Sequence, residues 1–269
     1  MGAAVRFNAV VLAGTRPGGD PFAQAMGVPY KAMVPAGGTA LLRRVADTLR
    51  HSPSIERIVI SGMTEAAMRE SGQLAELLAD PRIRVTVGAA TPASSVVEAI
   101  DQADLGWPLL VTTGDHALLT PEMIDYFCGA AAEAREEVVV GMVDGDRVRA
   151  RYPNVRRTFT RFREGTFKGT NLFALMSPAS RRAPELWVQV EQYRKAPWRM
   201  VSFLGPWVLL RFVLRRLTLA DLIGRIAAVM QVRIRTVLLP FPEAALDVDS
   251  EAHLAVAEEI LRARAAAAG

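Results

Sequence analysis

Ala9-Val10-Val11-Leu12-Ala13-Gly14-Thr15-Arg16-Pro17-Gly18-Gly19 is the stretch on which the fold of this chain turns. An apolar run of this length reads as a buried strand. It empties directly into a glycine-rich turn that carries an arginine. Glycines let backbone N–H groups approach an anion closely, and arginine adds a fixed positive fork. The turn is therefore expected to bind phosphate. Lys31 follows in Val28-Pro29-Tyr30-Lys31, and a helical stretch opens near Gly38-Thr39. Lysine occurs only at positions 31, 168 and 195 of an arginine-rich chain, which draws attention to the one beside the loop.

Working outward, strand-like runs fall at Ala9–Ala13, Arg57–Ser61, Ile83–Val87, Pro108–Thr112 and Glu137–Met142. Helical patterns separate them at Ala40–Leu49, Glu65–Leu78, Ser94–Ala103 and Pro121–Ala134. Such β-α alternation predicts a parallel sheet with helices on both faces. Ligands bind such sheets at the carboxyl ends of the strands. Gly14, Gly88 and Asp115 sit at or just beyond strand ends, so they are expected to converge.

The second half changes character. Val155–Phe162 and Phe167–Leu175 read as two strands around Arg163-Glu164-Gly165-Thr166. Pro178–Arg194 reads as a helix, Phe203–Met230 as two helices split near Leu217-Thr218, and Val232–Leu239 as a strand. Ala252–Arg264 is a closing helix capped by Asp249 or Ser250, with a frayed alanine-rich end. Phe203–Leu210 is not a membrane span, because Gly205-Pro206 and Arg211 interrupt it well short of roughly 20 residues. It reads either as a core helix with snorkelling arginines or as an apolar, basic wall for an amphipathic acceptor or a membrane surface.

At 269 residues and 51% hydrophobic, the chain can bury a large core in one α/β domain or two small ones. The lone Cys128 excludes an internal disulfide and suits a reducing cytosol, and no secretory leader is visible. A net charge of +4 and a pI near 9.6 fit an anionic substrate or a membrane surface. Nucleic acid is disfavoured, since no helix-turn-helix, zinc-finger or aromatic–basic signature occurs. No Cys/His cluster suggests zinc, and no Gly-x-Ser-x-Gly elbow suggests an α/β-hydrolase.

Further motifs carry chemistry. Gly88-Ala89-Ala90-Thr91-Pro92-Ala93-Ser94-Ser95-Val96 offers little bulk and several hydroxyls, suited to a small base or to a serine helix cap. Leu109-Leu110-Val111-Thr112-Thr113-Gly114-Asp115-His116 is an apolar strand ending in an aspartate. His116 reads as a neighbour of that aspartate rather than a catalyst. Leu246-Asp247-Val248-Asp249 precedes the last helix, where Asp249 reads on its own as a helix N-cap. Phe167-Lys168-Gly169-Thr170-Asn171 reads on its own as a strand with a solvated lysine.

In order, these segments resemble the MobA-like nucleotidyltransferases, with a Gly88–Ser95 loop similar to that of cytidylyltransferases. The resemblance implies a Rossmann-like fold related to the GT-A glycosyltransferases, with a mainly parallel sheet flanked by helices and a smaller acceptor lobe. It implies one domain over residues 1–269: a nucleotide-binding half at 1–145, an acceptor lobe at 146–240, and a closing metal segment and helix at 241–269. Leu12, Ala13, Gly14, Thr15, Gly88, Ser94 and Ser95 would contact the nucleotide. Lys31 and Arg16 would neutralise charge at the reacting phosphorus, and Asp115 and Asp249 would hold Mg2+. Lys168, Gly169 and Asn171 would meet the acceptor. The implied reaction transfers a nucleotide, CTP being the preferred donor, to a phosphate monoester on a lipid, polyol or sugar, and releases pyrophosphate. A cytoplasmic protein with peripheral contact to the inner face of a membrane is expected. A GTP-using guanylyltransferase, a GT-A-type glycosyltransferase and a non-catalytic nucleotide-binding protein are the alternatives. Asp115-His116-Ala117 lacks the Asp-x-Asp expected of the glycosyltransferase.

Overall fold

A computed structural model describes residues 5–15, 18–155, 157–192 and 204–268. Arg16 and Phe203, both singled out above, lie outside the described residues. The opening run forms β1 (Phe7–Leu12), and its side chains divide by the two-residue period of a strand. Phe7, Ala9 and Val11 enter one core, and Val10 enters the other.

The first core is built with α2 (Leu41–His51), α6 (Pro121–Ala132) and the C-terminal helix α11 (Glu251–Ala268). The second is built with α5 (Pro92–Ala103), α8 (Arg182–Gln192) and α10 (Leu219–Met230). β1 is therefore buried on both sides, as the sequence of a central parallel strand requires.

The parallel strands are β4 (Ile55–Ser61), β5 (Ile83–Thr86), β6 (Leu109–Thr113), β7 (Val138–Asp144) and β10 (Ile234–Leu238). β8 (Thr160–Phe162) and β9 (Gly165–Leu175) form the hairpin. Sheet order is β10-β7-β9-β6-β1-β4-β5, with β8 paired to β9. Strands following β1 lie on both of its sides, so a topological switch point opens between the carboxyl ends of β1 and β6. A two-strand ribbon, β2 (Pro35–Ala36) with β3 (Thr39–Ala40), leads into α2.

Several expectations are corrected. The first strand of the hairpin is shorter than Val155–Phe162, at Thr160–Phe162, and β9 runs antiparallel between β6 and β7 and completes the sheet. The pattern at Glu65–Leu78 breaks into α3 (Glu65–Glu70), α4 (Gly72–Ala75) and a 3-10 turn, because Ser71 is extended and a glycine follows it. A helix the pattern did not predict, α7 (Gly145–Arg151), starts where Asp144 accepts from the Asp146 and Arg147 amides. Pro178–Arg181 is a 3-10 turn before α8. The alanine-rich end continues α11 to Ala268, in keeping with alanine's helix propensity.

The split near Leu217-Thr218 holds, with Thr218 capping α10. The preceding helix, α9 (Pro206–Val213), buries none of its residues, which overturns the core-helix reading. A small third core joins Phe162 and Phe167 of the hairpin to Leu217 and Leu219. The remaining short helix, α1 (Pro21–Ala25), is capped by Asp20.

Candidate active site

Three loops meet backbone to backbone at the carboxyl ends of β1, β4 and β5. A Cβ on Gly62 would lie 2.5 Å from Gly14 Cα, and one on Gly88 would lie 2.5 Å from Gly62 Cα. Gly62 also has φ +99°, a conformation side chains resist. The line Gly14–Gly62–Gly88 thus brings the first loop against the Gly88–Ser95 loop. Gly62 was not singled out in the sequence, although it directly follows the strand ending at Ser61.

Leu12 and Ala13 tie this loop to its neighbours. The Gly114 amide donates to Leu12 O at 2.9 Å, and the Ala13 amide donates to Ser61 O at 2.8 Å. Gly14 and Thr15 are exposed at the switch point. Ser95 is buried and its hydroxyl accepts from the Ala89 amide at 2.9 Å. Ser94 forms a capping box with Thr91, so Thr91 rather than a serine caps α5. Both hydroxyls shape the loop from within.

The acidic side of the site forms from distant segments. Lys31 opens a single 3-10 turn, Lys31–Met33. Its ammonium bonds Asp115 and, at 2.7 Å, Asp249 Oδ1. Thr113 donates its hydroxyl to Asp115, and the Val248 amide donates to Asp115 O at 3.0 Å. That backbone bond stitches the end of β6 to the Asp247-Val248-Asp249 segment. Ser250 accepts from the His253 amide through its hydroxyl and caps α11, which leaves the Asp249 carboxylate facing Lys31.

Carboxylate oxygens of Asp115, Asp247 and Asp249 lie within 4.8 Å of one another. An all-carboxylate donor set suits a hard divalent cation such as Mg2+, and less so zinc or copper. The residues therefore fit the metal that the sequence reading implied, with Asp247 added to the expected pair.

Charge states follow from the surroundings. Burial opposes the Lys31 charge, but Asp115 and Asp249 outweigh it and hold its pKa above the ordinary 10.5. Lys31 is thus a permanent cation near neutral pH, fit to stabilise negative charge and unfit to act as a base. Burial would raise Asp247, but Lys168 and Arg157 outweigh it and keep its pKa well below the ordinary 3.8.

Asp247 gathers the residues that the sequence reading expected at an acceptor. Arg157 Nη1 reaches Asp247 Oδ1 at 2.8 Å, Lys168 Nζ reaches the same oxygen at 3.3 Å, and Asn171 Nδ2 reaches Oδ2 at 3.4 Å. The expected acceptor residues Lys168 and Asn171 are therefore brought together with the acidic cluster. A β-bulge aims Asn171: the β7–β9 register slips between Val140 and Met142, and Asn171 adopts φ +53°. Gly141 makes room, since a Cβ there would lie 2.3 Å from Thr170 Oγ1. A Cβ on Gly169 would meet nothing within 4 Å, so that backbone lies open.

Arg157 was not singled out in the sequence: it stands inside Val155–Phe162, read there as a strand, whereas the strand itself is Thr160–Phe162. Its side chain is only 6% exposed. It also lines a cavity of about 410 Å³ with Arg149, Pro153, Val155, Thr158 and Phe159. His116 is buried behind Asp115, and burial pushes its pKa down, so it is a packing neighbour rather than a solvated acid. Burial likewise pushes the Cys128 thiol up, leaving it an inert core residue.

Comparison with known proteins agrees with this fold. The family model described as the MobA-like NTP transferase domain matches residues 9–239. A search of curated protein sequences gives no significant match. A hypothetical transferase from Thermus thermophilus is 30% identical, with a TM-score of 0.75 over 93% of this chain and 100% of that one. A 4-diphosphocytidyl-2C-methyl-D-erythritol synthase from Anaerococcus prevotii is 13% identical, with a TM-score of 0.62 over 96% and 97% of the two chains. That likeness is one of fold.

Proposed function

We propose, from the premise that this chain belongs to the MobA-like NTP transferase family, that it is a magnesium-dependent nucleotidyltransferase acting on a phosphate-monoester acceptor. The observation that carries this reading is the pairing of Lys31 with Asp115 and Asp249, which cluster with Asp247 at the switch point of the sheet. We read residues 1–269 as one such domain working in the cytoplasm.

In the proposed reaction, an acceptor phosphate oxygen attacks the α-phosphorus of the NTP in line. A new P–O bond forms, the bond to the β-phosphate bridging oxygen breaks, and pyrophosphate leaves. A phosphate monoester is already anionic near neutral pH, so no side chain has to remove a proton. Catalysis then reduces to positioning and charge stabilisation. The Lys31 ammonium meets negative charge developing on the phosphates, with Arg16 as its expected companion from the loop. Backbone at Gly14 and Thr15 cradles the triphosphate. Asp115, Asp247 and Asp249 would hold Mg2+, which when bound neutralises phosphate charge. Lys168, Gly169 and Asn171 face the acceptor, and Arg157 offers a further cation beside the cavity.

CTP is the preferred donor in this reading. Its support is the low-bulk Gly88–Ser95 loop, held against the first loop through Gly62. The Anaerococcus neighbour, named for a diphosphocytidyl product, is compatible with that choice. The acceptor is a lipid, polyol or sugar phosphate.

The test is magnesium-dependent binding and pyrophosphate release across CTP, GTP, UTP and ATP with a panel of phosphate monoesters. CTP is expected to bind and turn over. Lys31→Ala and Asp115→Asn are each expected to slow release by about 100-fold or more. Preference for GTP would move the assignment to a guanylyltransferase. Binding of nucleotide-sugars alone would favour a glycosyltransferase, and nucleotide binding without turnover on any acceptor a non-catalytic protein. No nucleotide binding by the folded protein would overturn the proposal.

A further inference from the structure

Helix α9 is built against the usual logic of a surface helix. None of its residues is buried, yet it reads Pro-Trp-Val-Leu-Leu-Arg-Phe-Val. Trp207 is 66% and Val213 is 68% exposed, and Leu209, Leu210, Phe212 and the following Leu214 are exposed as well. Single apolar residues on a surface are ordinary, but a contiguous set marks something to be covered. Val208 is the helix residue that packs on the small third core.

Charge identifies what covers it. The sequence from Tyr193 to Arg216 holds Arg194, Lys195, Arg199, Arg211, Arg215 and Arg216, and not one of the chain's 28 acidic residues. It also holds two of the four tryptophans, Trp198 and Trp207. Arg211 is paired with Asp221 at 2.8 Å, while Arg215 and Arg216 are exposed beside the apolar residues. A twofold contact with a second copy would face these cations with their own kind. Exposed Leu, Phe and Trp with basic residues and no acid are the features of a helix that lies in the headgroup region of an anionic bilayer. Among the described residues no helix is long and apolar enough to cross a membrane, so the contact would be peripheral.

We propose that α9, with Arg215 and Arg216, is an interfacial anchor that docks this protein on an anionic phospholipid surface. The anchor is fastened to the acceptor side of the site. The Arg163 amide donates to Leu217 O at 2.9 Å, and the Leu219 amide donates to Glu164 Oε1 at 2.7 Å, so the segment after α9 is tied to the β8–β9 turn. On β9, Phe167 packs in the third core under α9 while the next residue, Lys168, reaches Asp247 on the opposite face. Resting on the transferase reading for this one clause, docking favours an acceptor whose phosphate projects from a lipid.

The full-length protein is sedimented with vesicles of phosphatidylcholine alone and of phosphatidylcholine with phosphatidylglycerol. Two exposed arginines predict about 30-fold tighter binding to the anionic vesicles, weakened by high salt. Arg215→Glu with Arg216→Glu abolishes that preference. Trp207→Ser with Phe212→Ser lowers binding about tenfold or more. These side chains are exposed, so thermal melting of the variants is expected to match the parent and separates lost docking from lost folding. Equal sedimentation with both vesicle types, or with neither, overturns the proposal. So does a concentration-dependent dimer dissolved by Trp207→Ser, which would assign the face to a second copy. Sedimentation needs no turnover: docking without transfer would sink the transferase reading alone, and transfer without docking would sink this one alone.

Discussion

Asp80 shows how a single carboxylate outside the site can be read for its pH behaviour. Arg50 Nε bonds it at 2.8 Å, and Arg82 approaches through both amide and guanidinium. Burial would raise its pKa, but the Arg82 and Arg50 hydrogen bonds outweigh that and hold it below the ordinary 3.8. A depressed folded-state pKa contributes stability that is complete above the unfolded value and is lost as pH falls through the folded one. Asp80→Asn is therefore expected to cost about 1 kcal/mol at pH 7, discounted for the solvent around both arginines. Urea unfolding should show that difference shrink as pH falls below the carboxylate range. Lys31 has the opposite sign. Against burial, Asp115 and Asp249 raise its pKa in the metal-free site, so the stability its charge contributes is complete below the ordinary lysine range and is lost only at more alkaline pH, readable from urea unfolding of the parent and Lys31→Ala in EDTA.

Elements place these residues, and two backbone devices do most of the placing. The first is the glycine line. Gly62→Ala forces a Cβ to within 2.5 Å of Gly14 Cα at φ +99°, with no flexible side chain to give way. The expected cost is about 2–3 kcal/mol in urea unfolding, with weakened CTP binding because the first loop is displaced. The second is the bulge in β9. Asn171→Gly keeps the φ +53° backbone and removes only the amide that reaches Asp247, whereas Asn171→Ala adds about 1 kcal/mol of backbone strain. Melting should separate the two variants while acceptor KM rises in both. Alternation and capping made most elements legible: β1, β4, β5 and β6 fell within two residues of their expected ends. The bulge was not legible, because it depends on Gly141 of a different strand giving Thr170 room.

At the scale of the whole molecule, four segments far apart in the chain share one site: Lys31, the end of β6, the β9 bulge and Asp247–Asp249. A ligand that bridges them binds only the folded protein and must stabilise it. CTP with Mg2+, at about a hundred times Kd, should add about 2.7 kcal/mol and raise the melting temperature by several degrees. Calorimetry checks this, and EDTA should remove most of the shift if the carboxylate cluster holds the metal.

The class of the fold and the chemistry of its loop ends could be read from the chain alone. The apolar period of two, the helical period and the residues after each strand are local signals, and a parallel sheet converts strand ends into neighbours. It also carried the order of motifs that identifies the family. Which residues meet across the fold depends on long-range packing. Asp247 became a hub because Arg157, Lys168 and Asn171, 76 to 90 residues away in sequence, close on it. The hairpin strand joined the main sheet because β6 and β7 each left an edge for it to fill. Helix α9 proved exposed because burial depends on what packs against a face, and no pattern within the helix reports that.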